Sequence, residues 1–100
     1  MIQNQQGYHT YYIYILTNKY KTVLYTGVTN NFKLRLTQHK ESLNPNAFTT
    51  KYKAHYLIYY EKFTWIQEAI AREKEIKSWT REKKLNLIRS QNKEMTFLDF

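Results

Sequence analysis

The chain has no cysteine, only two glycines and a single proline in 100 residues. Without cysteine there is no disulfide framework and no thiolate zinc site, which removes zinc fingers and zinc deaminases together. The scarcity of glycine and proline, set against 42% hydrophobic and 17% aromatic residues, excludes collagen-like and disordered chains. No apolar run approaches the roughly 18 residues of a membrane span. The segment Met1 to Thr10 lacks the basic start and apolar stretch of a signal peptide, so the expected compartment is cytoplasmic, away from any membrane.

Carboxylates are scarce in a more informative way. The sole aspartate is Asp99, and no acidic residue precedes Glu41. Two-metal nuclease sites and paired-carboxylate glycosidase sites need several inward-facing Asp or Glu on different elements, and this chain cannot supply them. What it has instead is 16 Lys and Arg against 8 Asp and Glu, a formal charge of +8. Such a balance points to a polyanion, most often nucleic acid. The plain alternative is charge that serves only solubility.

A chain of this length removes roughly two-thirds of its unfolded surface from water on folding, enough for one core. We therefore expect one domain over residues 1–100, its core spanning about 8–90 and its tail, 91–100, poorly defined. Tyr11 to Leu16 and Val23 to Val28 read as a hairpin closed by a loop of roughly six residues. Pairing Leu16 with Val23 would set Tyr14 directly opposite Tyr25. Thr29, Asn30 and Asn31 are candidate N-caps for a helix through Phe32, Leu36 and Leu43, broken by Asn44, Pro45 and Asn46. A third strand runs from His55 to Tyr60. Thr64 with Gln67 forms a capping-box pattern opening a helix to about Trp79, and Thr80 caps a last helix to about Ser90. The order is ββαβαα, an α+β class with a small three-stranded antiparallel sheet flanked by helices.

Four features carry chemistry. Ile66, Ala69, Ile70 and Ile76 define the apolar stripe of the penultimate helix, and Glu73 falls in its middle. A core-facing carboxylate costs several kcal/mol unless it is paired, hydrogen-bonded or bound to a metal. Helix geometry alone slightly favours a structural pair with Arg or Lys, with Lys77 on the same stripe; the other reading is a Mg²⁺ completed by water and substrate oxygens. Arg35 and His39 are i, i+4 beside the face of Phe32 and Leu36. Arg35 is placed either to fork onto phosphate or to lay its stem on apolar neighbours. Tyr14 and Tyr25 are either strand formers or a proton-transferring pair. Lys33, Lys74, Lys77, Arg81 and Lys84 are candidate nucleic-acid contacts, a solvated basic face being their ordinary meaning.

Taken together, Tyr12-Ile13-Tyr14, Tyr25-Thr26-Gly27, Arg35 with His39, and the segment Ala69 to Lys77 resemble the signature of the GIY-YIG nuclease superfamily. The likeness covers nearly the whole chain and is closest to short stand-alone bacterial members likened to the N-terminal domain of the bacterial excinuclease. It implies an endonuclease hydrolysing DNA phosphodiester bonds with one divalent metal, Mg²⁺ or Mn²⁺. On that resemblance Glu73 would hold the metal and Tyr14 would be the general base on the attacking water. Tyr25 would hydrogen-bond beside it, and Arg35 and His39 would bind the scissile phosphate. Tyr12 stands where the family name has Gly, and no residue after Glu73 matches the family's Asn cleanly, Asn86 being the nearest candidate. With no appended domain to select a DNA site, specificity would be loose or supplied by a protein partner. The competing readings are a non-catalytic nucleic-acid-binding module whose tyrosines stack on bases, and an accessory protein in DNA repair or recombination.

Overall fold

The computed structural model describes residues 10–40 and 48–99, and of residues 39, 40, 48 and 49 the backbone alone. Along the chain lie β1 (Tyr11–Thr17), β2 (Leu24–Thr29), α1 (Phe32–Lys40), α2 (Phe48–Lys51), β3 (Tyr56–Phe63), α3 (Ile66–Lys77) and α4 (Arg81–Gln91). The sheet order is β2-β1-β3, antiparallel throughout. This is the α+β architecture expected, with one helical turn, α2, added before the third strand. Leu43, Asn44, Pro45 and Asn46 lie outside the described residues.

The central strand explains why β1 reads as an unbroken apolar run without alternation. Ile13 to Thr17 are all buried, because both faces of the sheet are covered. Ile13 and Ile15 point into a core with Ile58, Tyr59, Ala69, Ile76 and Ile88, under α3 and α4. Tyr14 and Leu16 point the other way, into a cluster with Leu57 and with Phe32, the first residue of α1.

The hairpin loop has the expected six residues but sits one position further along. Thr17 pairs with Leu24, so residues 18–23 form the turn, and the opposite of Tyr14 is Gly27 instead of Tyr25. The cause is local. The Asn18 side chain accepts from the backbone N–H of Thr22 (2.7 Å) and Val23 (3.3 Å), and the Thr17 hydroxyl donates to the Val23 carbonyl (2.7 Å), drawing Thr17 into the strand and Val23 out of it.

On the other side of β1 the register shifts between Ile15, paired with Tyr59, and Leu16, paired with Leu57. Ile58 is thus the extra residue of a β-bulge, and it joins Tyr59 in the α3/α4 core. Its carbonyl accepts from the Asn92 side-chain amide at 2.9 Å. Asn92 also receives the N–H of Thr96, and the N–H of Leu98 donates to the carbonyl of Leu57 at 2.7 Å. Residues 92–99 form no helix or strand, yet they are tied to β3, and Met95 is buried.

The helix caps follow the sequence in two cases of three. Asn31 accepts from the N–H of Leu34 (3.1 Å) to start α1, and Thr80 accepts from Lys83 (3.3 Å) to start α4. The capping box expected from Thr64 does not form. Strand β3 continues to Phe63, so Trp65 becomes the N-cap of α3, without a side-chain hydrogen bond.

Candidate active site

Tyr14 lies mid-strand between Gly27 on β2 and Tyr60 on β3. Its side chain is 1% exposed and lies across Gly27, where a Cβ would stand 2.5 Å from the ring Cζ and closer still to the hydroxyl oxygen. The φ of Gly27 is not in the positive range. The glycine is therefore required by the close approach of the ring and not by backbone conformation. Tyr25 is a diagonal neighbour on the same face, its ring centroid 6.3 Å from that of Tyr14. Phe32 closes the group, 5.6 Å from both Tyr14 and Tyr60 and 4.8 Å from Tyr12.

Charge converges on the Tyr14 hydroxyl. Burial pushes the phenol above the ordinary tyrosine range and Tyr25 adds to the shift. The Arg35 guanidinium, which hydrogen-bonds it, pulls the other way, and the Glu73 carboxylate pushes it up again. Arg35 comes from α1, Tyr14 and Tyr25 from the sheet, and Glu73 from α3. Tyr25 and Arg35 thus lie beside the Tyr14 phenol, and Glu73 acts on it through its charge. His39 is placed on α1, one turn beyond Arg35, and its side chain lies outside the described residues.

Glu73 faces inward as its position on the stripe requires, with 13% of its side chain exposed. The stripe itself is narrower than expected: Ala69 and Ile76 are fully buried, Ile66 is half-buried, and Ile70 is exposed. Lys77 bridges to Glu73 at 2.7 Å from one turn further on, its own side chain half exposed. Among the described residues there is no group of three or more His, Cys, Asp or Glu arranged to hold a metal. The donor set is a single carboxylate. That suits Mg²⁺, which keeps several waters and takes substrate phosphate oxygens, and does not suit an ion that needs a protein cage.

The aim of Glu73 is fixed by residues that the sequence does not single out. Arg72, its neighbour on α3, spans back to Glu61 near the end of β3, donating from Nε (3.0 Å) and Nη2 (3.0 Å) to the two carboxylate oxygens. Its Nη1 reaches Glu75 at 2.9 Å, and the Tyr59 hydroxyl donates to Glu61. Both Glu61 and Arg72 are mostly sheltered from solvent, so this forked pair locks the rotation of α3 against the sheet. No pattern in the sequence links positions 61 and 72. A third strand ending at Tyr60 would even leave Glu61 in a loop.

The candidate nucleic-acid contacts are dispersed. Lys33 is exposed on α1, Lys74 is exposed on α3, Lys84 is half-buried on α4, and Lys77 is committed to Glu73. Arg81 donates from Nη2 to the Lys21 carbonyl at 3.1 Å, joining α4 to the β1–β2 loop. Asn86 is exposed on α4.

This arrangement has relatives. The chain is 36% identical over 78 residues to the UPF0213 protein SH2523 of Staphylococcus haemolyticus, covering 78% of this chain and 93% of that protein. It is 40% identical over 81 residues to the UPF0213 protein CPE1444 of Clostridium perfringens, covering 81% and 85%. Among solved structures, the solution NMR structure of the UPF0213 protein BH0048 from Bacillus halodurans superimposes with a TM-score of 0.54 at 28% identity, over 83% of this chain and 86% of that one. The family model of the GIY-YIG catalytic domain matches residues 10–86, a span that holds Tyr14, Tyr25, Gly27, Arg35, His39 and Glu73, and the chain belongs to that nuclease-type family.

Proposed function

We propose that this domain is a Mg²⁺-dependent endonuclease that hydrolyses DNA phosphodiester bonds at the Tyr14 site. The observation that carries the reading is the convergence of Arg35, Tyr25 and Glu73 on one buried phenol. Glu73 would hold the ion, which when bound supplies Lewis-acid stabilisation of phosphate and leaving-group charge. Tyr14 takes the proton of the attacking water, Tyr25 holds its orientation, and Arg35 with His39 binds the scissile phosphate and meets the charge that develops there. A phenol pushed upward by burial is a strong base once ionised but is rarely ionised at neutral pH. The rate constant then rises with pH through the neutral range. A Glu73 carboxylate whose charge is neutralised no longer adds to the upward push on the phenol, which Arg35 opposes and burial and Tyr25 maintain.

The test is cleavage of labelled duplex, branched and single-stranded DNAs with Mg²⁺ or with EDTA, by the natural protein and by Glu73→Gln and Tyr14→Phe. Cleavage that needs Mg²⁺ and is lost in both variants supports the reading. Variants that cut as well as the natural protein would refute it. The Lys77 bridge to Glu73 favours the second reading, a nucleic-acid-binding or accessory domain in which Glu73 is a structural ion-pair partner. On that reading the protein binds DNA and cuts none of the panel.

A further inference from the structure

Two carboxylate-free stretches of the chain, the β1–β2 loop and residues 50–56, meet beside the sheet. They enclose a cleft of about 340 Å³ lined by Lys19, Tyr20, Tyr52, Lys53, His55 and Tyr56. Tyr20 is 75% exposed and Tyr52 43% exposed, the former the most exposed large apolar side chain among the described residues. Three lysines nearby lie over aromatic faces: Lys19 over Tyr20 at 5.8 Å, Lys51 over Tyr52 at 5.5 Å and Lys21 over Phe97 at 5.2 Å. Arg81 adds a guanidinium through its bond to the Lys21 carbonyl.

The backbone here gives an independent observation. Lys21 and Lys53 have φ of 59° and 56°, in the left-handed region where glycine is at ease and an L side chain is strained. Local stability would be served better by glycine at both. What lysine adds at those two positions is a cation, Lys53 on the wall of the cleft and Lys21 over the Phe97 ring.

A second cleft, of about 440 Å³, runs between α1 and the start of β3, with Lys33, Thr37, His55, Tyr56 and Phe97 on its walls and Asp99 as its carboxylate. The two clefts share His55 and Tyr56, whose rings lie 4.7 Å apart. They therefore adjoin at these two residues, one cleft reaching the helix that carries Arg35 and the other the exposed tyrosines. Tyr56 pairs with Thr17, which is three residues from Tyr14 along β1, about 10 Å at strand rise.

We infer that this surface binds an unpaired DNA strand, with bases stacked on Tyr20 and Tyr52 and phosphates met by Lys19, Lys21, Lys51 and Lys53. Exposed aromatics interleaved with cations suit a single strand, whose bases offer their faces, and not a duplex, whose bases are already stacked. The inference deepens the proposed function, on which it rests, by naming the substrate as DNA that carries an unpaired strand near the cut.

The experiment is fluorescence anisotropy in EDTA, with a labelled 15-nucleotide single strand, its blunt duplex and an RNA of the same sequence. The single-stranded DNA should bind more tightly than the duplex. Tyr20→Ala should weaken the single strand about tenfold and the duplex less than about twofold. Lys21→Gly with Lys53→Gly should weaken binding and lower the log–log salt slope by about 1 to 2, with the melting temperature unchanged or raised. Equal losses for single strand and duplex, no effect of Tyr20→Ala, or tighter binding of the RNA would overturn the assignment. The cleavage assay separates the two proposals. Tyr20-dependent binding without Mg²⁺-dependent cleavage retains the surface and removes the nuclease reading, whereas cleavage with Tyr20 indifferent does the reverse.

Discussion

Gly27→Ala tests the packing on which the site depends. The added Cβ would stand 2.5 Å from Tyr14 Cζ, whereas an ordinary contact of this kind lies at 3.4–4 Å. Ring or strand must therefore yield by about 1 Å in a close-packed interior. Phe32 packs beside the ring and is itself buried, so it offers the ring little room to retreat. Overpacking of this kind costs about 1–3 kcal/mol. Against it stands the gain of about 0.4–1 kcal/mol that alanine brings by restricting the unfolded chain, available because the φ of Gly27 is one alanine adopts freely. The net loss is about 1–2 kcal/mol, or about 5–15 °C in melting temperature for a domain of this size. Chemical denaturation followed by the fluorescence of Trp65 and Trp79 would measure it. The control is Tyr14→Leu, which removes the hydroxyl oxygen and the two ring atoms the Cβ would meet. In that background Gly27→Ala should be neutral or stabilising, giving a coupling of at least about 1 kcal/mol. An unchanged stability for Gly27→Ala alone, or the same loss in both backgrounds, would refute the argument. DNA cleavage by Gly27→Ala should fall with the displacement of the Tyr14 hydroxyl from Arg35.

Three further outcomes follow from the site and its supports. Lys77→Ala removes a partly exposed competitor for Glu73, a pair worth about 0.2–1 kcal/mol, and should lower the Mg²⁺ concentration for half-maximal cleavage by up to about fivefold in a metal titration. Tyr14 and Tyr59 are both pushed above the usual tyrosine range, chiefly by burial, so below about pH 10 each is protonated in folded and unfolded chains alike. Above that pH the unfolded chain ionises first, stability falls as pH rises, and Tyr59→Phe should reduce the slope of denaturation free energy against pH by up to about 1.4 kcal/mol per unit. Glu61→Gln weakens the charge-assisted fork with Arg72 and should cost about 1–3 kcal/mol in urea unfolding, with a smaller loss for Glu75→Gln at the exposed end of the same network.

Much of this is legible in the sequence because the informative residues sit on regular elements. The 3.6-residue period places Glu73 inward, and the period of two places Tyr14 and Tyr25 on one face, a conclusion that survives a register shift of two residues because parity is kept. The shift itself is not legible, since it is set by side-chain hydrogen bonds from Asn18 and Thr17. The bulge at Ile58 is hidden for the same reason, its carbonyl being satisfied by Asn92, distant in sequence. Periodicity alone puts Ile70 in the core because it counts every isoleucine on the stripe, but α3 meets the sheet along a narrower line through Ala69, Glu73 and Ile76.

The scarcity of carboxylates acquires a sharper meaning from Glu61 and Glu73. Both are sheltered, and each is held by a cation, but the two arrangements differ. Glu61 is gripped by a planar fork from Arg72 and by the Tyr59 hydroxyl, so its acceptor capacity is largely used and it serves as an anchor. Glu73 has Lys77 on one oxygen, a flexible stem with a half-exposed head. A carboxylate meant only for stability would be better placed with the fork. At Glu73 the partner is the flexible Lys77 instead, and the fork through Arg72 stands one residue away, tying α3 to the end of β3.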